Sequence, residues 1–147
     1  MKYLPKLGAP LATFFLRIPL SVMFFQQGFM KLNGDMGAEA EMWNLPYIVW
    51  WFVTYGEIGS ALGLLVGGVI GVIPWHNWFS KFYQTVIWNI GDLLTRFSAI
   101  TMTCVVTGVI WLMQPASLLD VILYDYLHIS LYVVALYFAL RGNTKYA

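Results

Sequence analysis

Six polar residues interrupt the long apolar runs of this 147-residue chain: Arg17, Gln27, Lys31, Glu57, Asp125 and His128. A charge at the middle of a membrane helix costs roughly 2.5–3.5 kcal/mol on insertion scales, so each should face protein or water rather than lipid. Glu57 is the type of group that binds and releases a proton at mid-membrane. Asp125 and His128 stand three apart and share a helix face, where a carboxylate can orient an imidazole for proton transfer or simply satisfy a buried histidine. Counting rise per residue puts Arg17 roughly 12 Å and Glu57 roughly 15 Å deep from opposite ends of adjacent helices, so an Arg17–Glu57 ion pair is expected. Such a pair either fixes helix register or binds something at mid-membrane. Gln27 and Lys31, four apart, share a face of the first helix that runs to its rim. No metal site is expected, because the candidate ligands come from separated elements and are too few. The single Cys104 cannot form an internal disulfide or dithiol pair and reads as a small buried apolar residue.

The elements that must position these residues are apolar helices. Apolar residues make up 60% of the chain and charged ones 10%, against about a quarter charged in soluble domains. The formal charge of +1 offers nothing to nucleic acid. The expected fold is all-α: one integral membrane domain, 1–147, with four transmembrane helices in a bundle over about 9–31, 47–73, 97–114 and 119–141. Short polar connectors favour helices over a barrel, which would show alternating segments of about ten residues. The first run is read as a retained helix, since Arg17 interrupts it and no small-residue cleavage site follows. Lys2, Lys6, Lys81, Arg96, Arg141 and Lys145 fall on one side of an even number of spans, which predicts both termini in the cytoplasm and a bacterial-type inner, cytoplasmic membrane.

Two surfaces read as adhesive. Gly59, Gly63, Gly67 and Gly71 recur every four residues along the second span, a spacing that lets helix backbones approach closely, within the bundle or between copies. Between the second and third spans, Trp75, Trp78, Phe79, Phe82, Val86 and Ile90 follow one helical face, with His76, Asn77, Lys81 and Gln84 on the other. This predicts an amphipathic interfacial helix over about 75–90, closed by Gly91-Asp92. Trp75, Trp78, Phe79 and Phe82 are its docking residues, either a membrane anchor or a seat for a partner or lipid-soluble ligand.

The string from Arg17 to Leu32, RIPLSVMFFQQGFMKL, resembles the opening of the DoxX/DoxD family, with its intramembrane arginine, aromatic, glycine and lysine-leucine. Glu57 to Gly67, EIGSALGLLVG, resembles that family's glycine-rich second helix, and Leu94-Thr95-Arg96 its motif before the third. Arg17, Gly28, Lys31, Glu57, Gly59, Thr95 and Arg96 match motif positions, as does the Arg141-Gly142 pair near the end. The inserted aromatic segment over 71–93 and Gln27 depart from the pattern. The resemblance implies a small membrane subunit that anchors or completes a larger complex, a redox one passing electrons to quinone, with other membrane-protein subunits or further copies of itself as partners. No covalently bound cofactor is implied; quinone is the candidate ligand. A self-sufficient quinone-reactive enzyme and a small proton-coupled transporter remain open as alternatives.

Overall fold

In a computed structural model, residues 8–73, 75 and 80–143 are described, with side chains from Leu11 onward; Trp78 and Phe79, two of the expected docking residues, lie outside them. Six helices follow in order: α1 (Gly8–Asn33), α2 (Met36–Met42), α3 (Tyr47–Val72), α4 (Lys81–Leu112), α5 (Leu118–Tyr124) and α6 (Tyr126–Arg141). Among the described residues every regular element is a helix.

α3 is the hub, with α1 packed on one side and α4 on the other, while α6 packs on α4 and touches α1. The α1–α3 register is antiparallel. A Cβ on Gly28 would meet the Thr54 carbonyl at 2.9 Å, and one on Gly68 would meet the Arg17 Cδ at 2.7 Å. The α3–α4 register is read the same way. Gly63 lies against Ser98 and Leu94, Gly67 against Thr95 and the Gly91 carbonyl, and Gly91 against Ile70. The glycine stripe therefore seats α3 on α4. It does so only at its middle: Gly71 faces Asn143, and a Cβ on Gly59 would meet nothing within 4 Å. Leu20, Phe24, Leu64, Ala99, Met102 and Phe138 fill the centre between the four long elements.

Three expectations are corrected. First, there is no separate interfacial helix ending at Gly91-Asp92: residues from Lys81 run without a break into the third span as the 32-residue α4. Gly91 does not stop the helix because its missing side chain lets Ile70 of α3 pack against it, and Asp92 is held in helical register by Arg96 at 2.9 Å. Trp75 lies before α4, its indole donating to the Ile70 carbonyl at 2.8 Å, and Phe82 is exposed on the first turn of α4.

Second, the last span is broken. α5 and α6 meet at Asp125 with a 97° bend, because the Asp125 carboxylate accepts from the His128 backbone N–H and caps a new helix start. α6 alone extends about 24 Å, short of the roughly 30 Å hydrocarbon core. Helices α3 and α4 are long and apolar enough to cross a membrane, and α5 with α6 qualifies together as one broken span. α1 matches α3 in length, yet Arg17, Gln26, Gln27 and Lys31 make it less apolar. The chain is thus an all-helical protein with two to three qualifying spans.

Third, Cys104 is exposed on α4 rather than buried.

Candidate functional site

The expected Arg17–Glu57 pair does not form. Antiparallel packing puts Arg17 level with Leu64 and Gly68, about two turns beyond Glu57, so the two residues enter separate polar centres.

The first centre is built around Arg17. Its Nη1 donates to the Leu64 carbonyl (3.0 Å) and to Thr95 Oγ1 (2.9 Å), and its Nη2 donates to Asn143 Oδ1 (2.7 Å). The guanidinium also lies 4.6 Å above the Phe138 ring. Thr95 donates to the same Asn143 oxygen, while Asn143 Nδ2 donates to the Gly67 carbonyl and its backbone N–H to Asp92 Oδ1 at 2.7 Å. Asp92 in turn holds Arg96, whose guanidinium donates to the carbonyls of Ala139, Leu140 and Arg141 and so caps the end of α6. Gly142 makes the turn that delivers Asn143, with φ of +67° and its α-carbon close against Asp92 and Arg96. Hydrogen bonds from Arg17, Thr95, Arg96 and Asn143 tie four elements together. This is a structural cross-link.

The second centre surrounds Glu57. The carboxylate sits on α3 in contact with the ammonium of Lys31, which reaches back one turn along α1. Gly28 makes the approach possible, since a Cβ there would press on Glu57 Cβ at 3.0 Å. Glu57 is buried to 3% exposure, and Lys31 occupies only Oε1; Oε2 is buried without a hydrogen-bond donor among the described residues. Glu57 lines a cavity of about 320 Å³, together with Gln27, Lys31 and His128. His128 Nδ1 lies 2.8 Å from both oxygens of Asp125, so its other ring nitrogen is left for the cavity. Bending at Asp125 is what turns the imidazole toward α1 and α3.

Four of the six polar candidates, Gln27, Lys31, Glu57 and His128, therefore share one cavity, with Asp125 directly behind. Arg17 does not join them. Sequence reasoning missed Asn143 and Asp92, whose only signal is position: Asn143 follows a helix-stop glycine, and nothing in its neighbours marks it as buried. Glu39 was also missed; its Oε2 accepts from the Trp50 indole at 3.2 Å, and Lys31 Nζ lies 5.3 Å from the Trp50 ring centre. Both line a groove of about 790 Å³ that shares Gln27, Lys31, Val105 and Val109 with the cavity as wall residues. Among the described residues no three His, Cys, Asp or Glu side chains come together as a metal site.

The cavity and the cross-link define a helical membrane protein with a protonatable centre in its apolar interior. The DoxX family model matches residues 12–71, which span most of α1 and nearly all of α3 and include Arg17, Lys31 and Glu57. No curated protein and no solved structure matches the chain.

Proposed function

We propose that this chain is a four-span, inner-membrane subunit of a quinone-linked redox complex, in which the Glu57 cavity receives the quinone headgroup. The observation that carries the reading is that Glu57, whose Oε2 is buried without a hydrogen-bond donor among the described residues, lines a cavity together with Lys31, Gln27 and His128. A buried acceptor without a donor costs about 1–3 kcal/mol, and more when charged, so the site favours a ligand that brings a donor.

The donor set fits such a ligand. Oε2 accepts from a hydroxyl, while Gln27 and Lys31 can donate to a carbonyl. The adjoining groove, walled by Met30, Val49, Trp111 and Leu112, suits an isoprenoid tail. A quinone supplies two-electron, two-proton chemistry when bound. Glu57 takes or gives one proton at Oε2, His128 handles the second with Asp125 stabilising its charged form, and Lys31 holds the Glu57 carboxylate in place. In this reading the electrons come from a partner subunit. By the distribution of basic residues, both termini and the Arg17 end face the cytoplasm, with α2 on the outer face.

The test is purification of the tagged protein from its native membrane in gentle detergent, followed by mass spectrometry of bound proteins and extraction of bound quinone. The expected result is an oxidoreductase partner together with quinone that is lost in Glu57→Gln. A chain that emerges alone and free of quinone, and whose tryptophan fluorescence does not respond to a short-chain quinone, overturns the reading.

A further inference from the structure

We infer that the Glu57 cavity is a one-sided site, exchanging protons with the α2 face of the protein alone, and that Glu39 is the carboxylate at its entrance. The inference does not depend on the ligand being a quinone.

Toward α2 the way is open. The cavity shares the walls Gln27, Lys31, Val105 and Val109 with the groove, and the polar groups follow one another inward: Glu39 on the short α2, the Trp50 indole it accepts from, Lys31 beside that ring, then Glu57. Asp35 caps α2 and holds it across this mouth, accepting from Gly37 and Ala38 at 3.0 and 3.1 Å. An acidic side chain at the mouth raises the local proton concentration and speeds exchange with the groups behind it.

In the opposite direction the way is shut. Leu20, Phe24, Leu64, Met102 and Phe138 are at most 4% exposed and leave no hydrated gap toward Arg17. The hydroxyl of Ser21 lies in this layer, buried and without a hydrogen-bond partner among the described residues. Beyond the layer, the space beside Arg17 is only about 10 Å³, the room of roughly a single water. The fixed guanidinium there repels a hydrated proton. A transporter would have to take this fully satisfied cross-link apart in every cycle, which is the physical objection to that alternative.

The groups that face Glu57 are Lys31 and Gln27 from α1 and His128, backed by Asp125, from α6. From α4 only valines reach the cavity, Val105, Val106 and Val109. The proton balance of the site therefore rests on Glu57, Lys31 and His128, with Glu39 outside.

Dicyclohexylcarbodiimide tests this on the wild-type chain. The reagent crosses membranes freely and adds to protonated buried carboxyls as a stable N-acylurea, so only the proton supply is sided. The protein is reconstituted into liposomes, with orientation read from protease removal of a C-terminal tag, which lies at the end away from α2. Peptide mass spectrometry then follows the adduct at Glu57 while the pH is stepped on one side at a time. Raising the pH on the α2 side is expected to cut labelling by up to about tenfold per pH unit, with the same step on the other side without effect. Labelling that follows the other side, or both sides, overturns the one-sided site, and so does labelling that follows neither. Glu39→Gln is expected to lower labelling several-fold at fixed pH, with recovery in Glu39→Asp. Unchanged labelling in Glu39→Gln removes Glu39 from the entrance while leaving the sidedness intact.

Discussion

Arg17 and Glu57 are both buried charges on neighbouring helices, and the chain treats them in opposite ways. Around Arg17 each polar contact is answered: two carbonyls of α3, a threonine of α4 and an asparagine beyond α6. Around Glu57 one oxygen is held by Lys31 and the other is buried without a donor among the described residues, on a residue that lines a cavity. A closed network rigidifies and fixes the packing of four elements, whereas an open one retains capacity to bind a donor or proton. The difference is the ground on which the proposed function is placed at Glu57 and not at Arg17.

The largest expected effect comes from breaking the closed centre. Arg17→Met removes the donor to Asn143 Oδ1, Thr95 Oγ1 and the Leu64 carbonyl, and should cost about 1–3 kcal/mol for each group left unsatisfied, read as a lower unfolding midpoint in mild detergent. Next comes the α3–α4 seam. Gly67→Ala places a methyl 2.9 Å from the Gly91 carbonyl and 3.1 Å from the Thr95 nitrogen, both backbone atoms that cannot step aside. It should cost about 1–3 kcal/mol. Gly59→Ala, on the same stripe but in open space, should instead stabilise by up to about 1 kcal/mol through helix propensity. Equal losses at both glycines would mean that a second copy or partner covers Gly59.

At the open centre the expected order is reversed. Glu57→Gln should change the unfolding midpoint little, because it removes a charge that was only half satisfied, yet it should abolish ligand binding and carbodiimide labelling. A large drop in stability would show that Glu57 belongs with Arg17 as a cross-link. Asp125→Ala removes the cap that starts α6 and should cost about 1 kcal/mol. It should also free the His128 ring from its carboxylate contact, seen as a change in its NMR chemical shifts. The smallest effect concerns Cys104: being exposed on α4 and lining the groove, it should react with an apolar maleimide without loss of fold.

Much of this was legible along the chain. The apolar runs announced membrane helices, and the small-residue stripe announced close packing of α3. Intramembrane charges marked both centres, and Lys31 was already on the face that runs past Gln27. The pairing was not legible. Depth along a helix axis can be counted from sequence, but an error of two turns separates Arg17 from Glu57, and only the glycine contacts at Gly28 and Gly68 set the register. The α4 boundary was misread for a related reason. Gly91-Asp92 is a stop signal when exposed and a packing device when a neighbouring helix lies against it.

What the sequence determined by itself was composition and period: a helical membrane chain, a glycine seam, and a handful of charges too costly to leave in lipid. These are local properties, fixed by side-chain chemistry and by the rise of a helix. Tertiary structure alone decided which charge meets which, that Asn143 returns from the far end to close the Arg17 centre, and that a 97° turn at Asp125 brings His128 to the Glu57 cavity. Those outcomes depend on contacts between residues tens to more than a hundred positions apart, set by how whole helices settle against one another, and no window along the chain contains them.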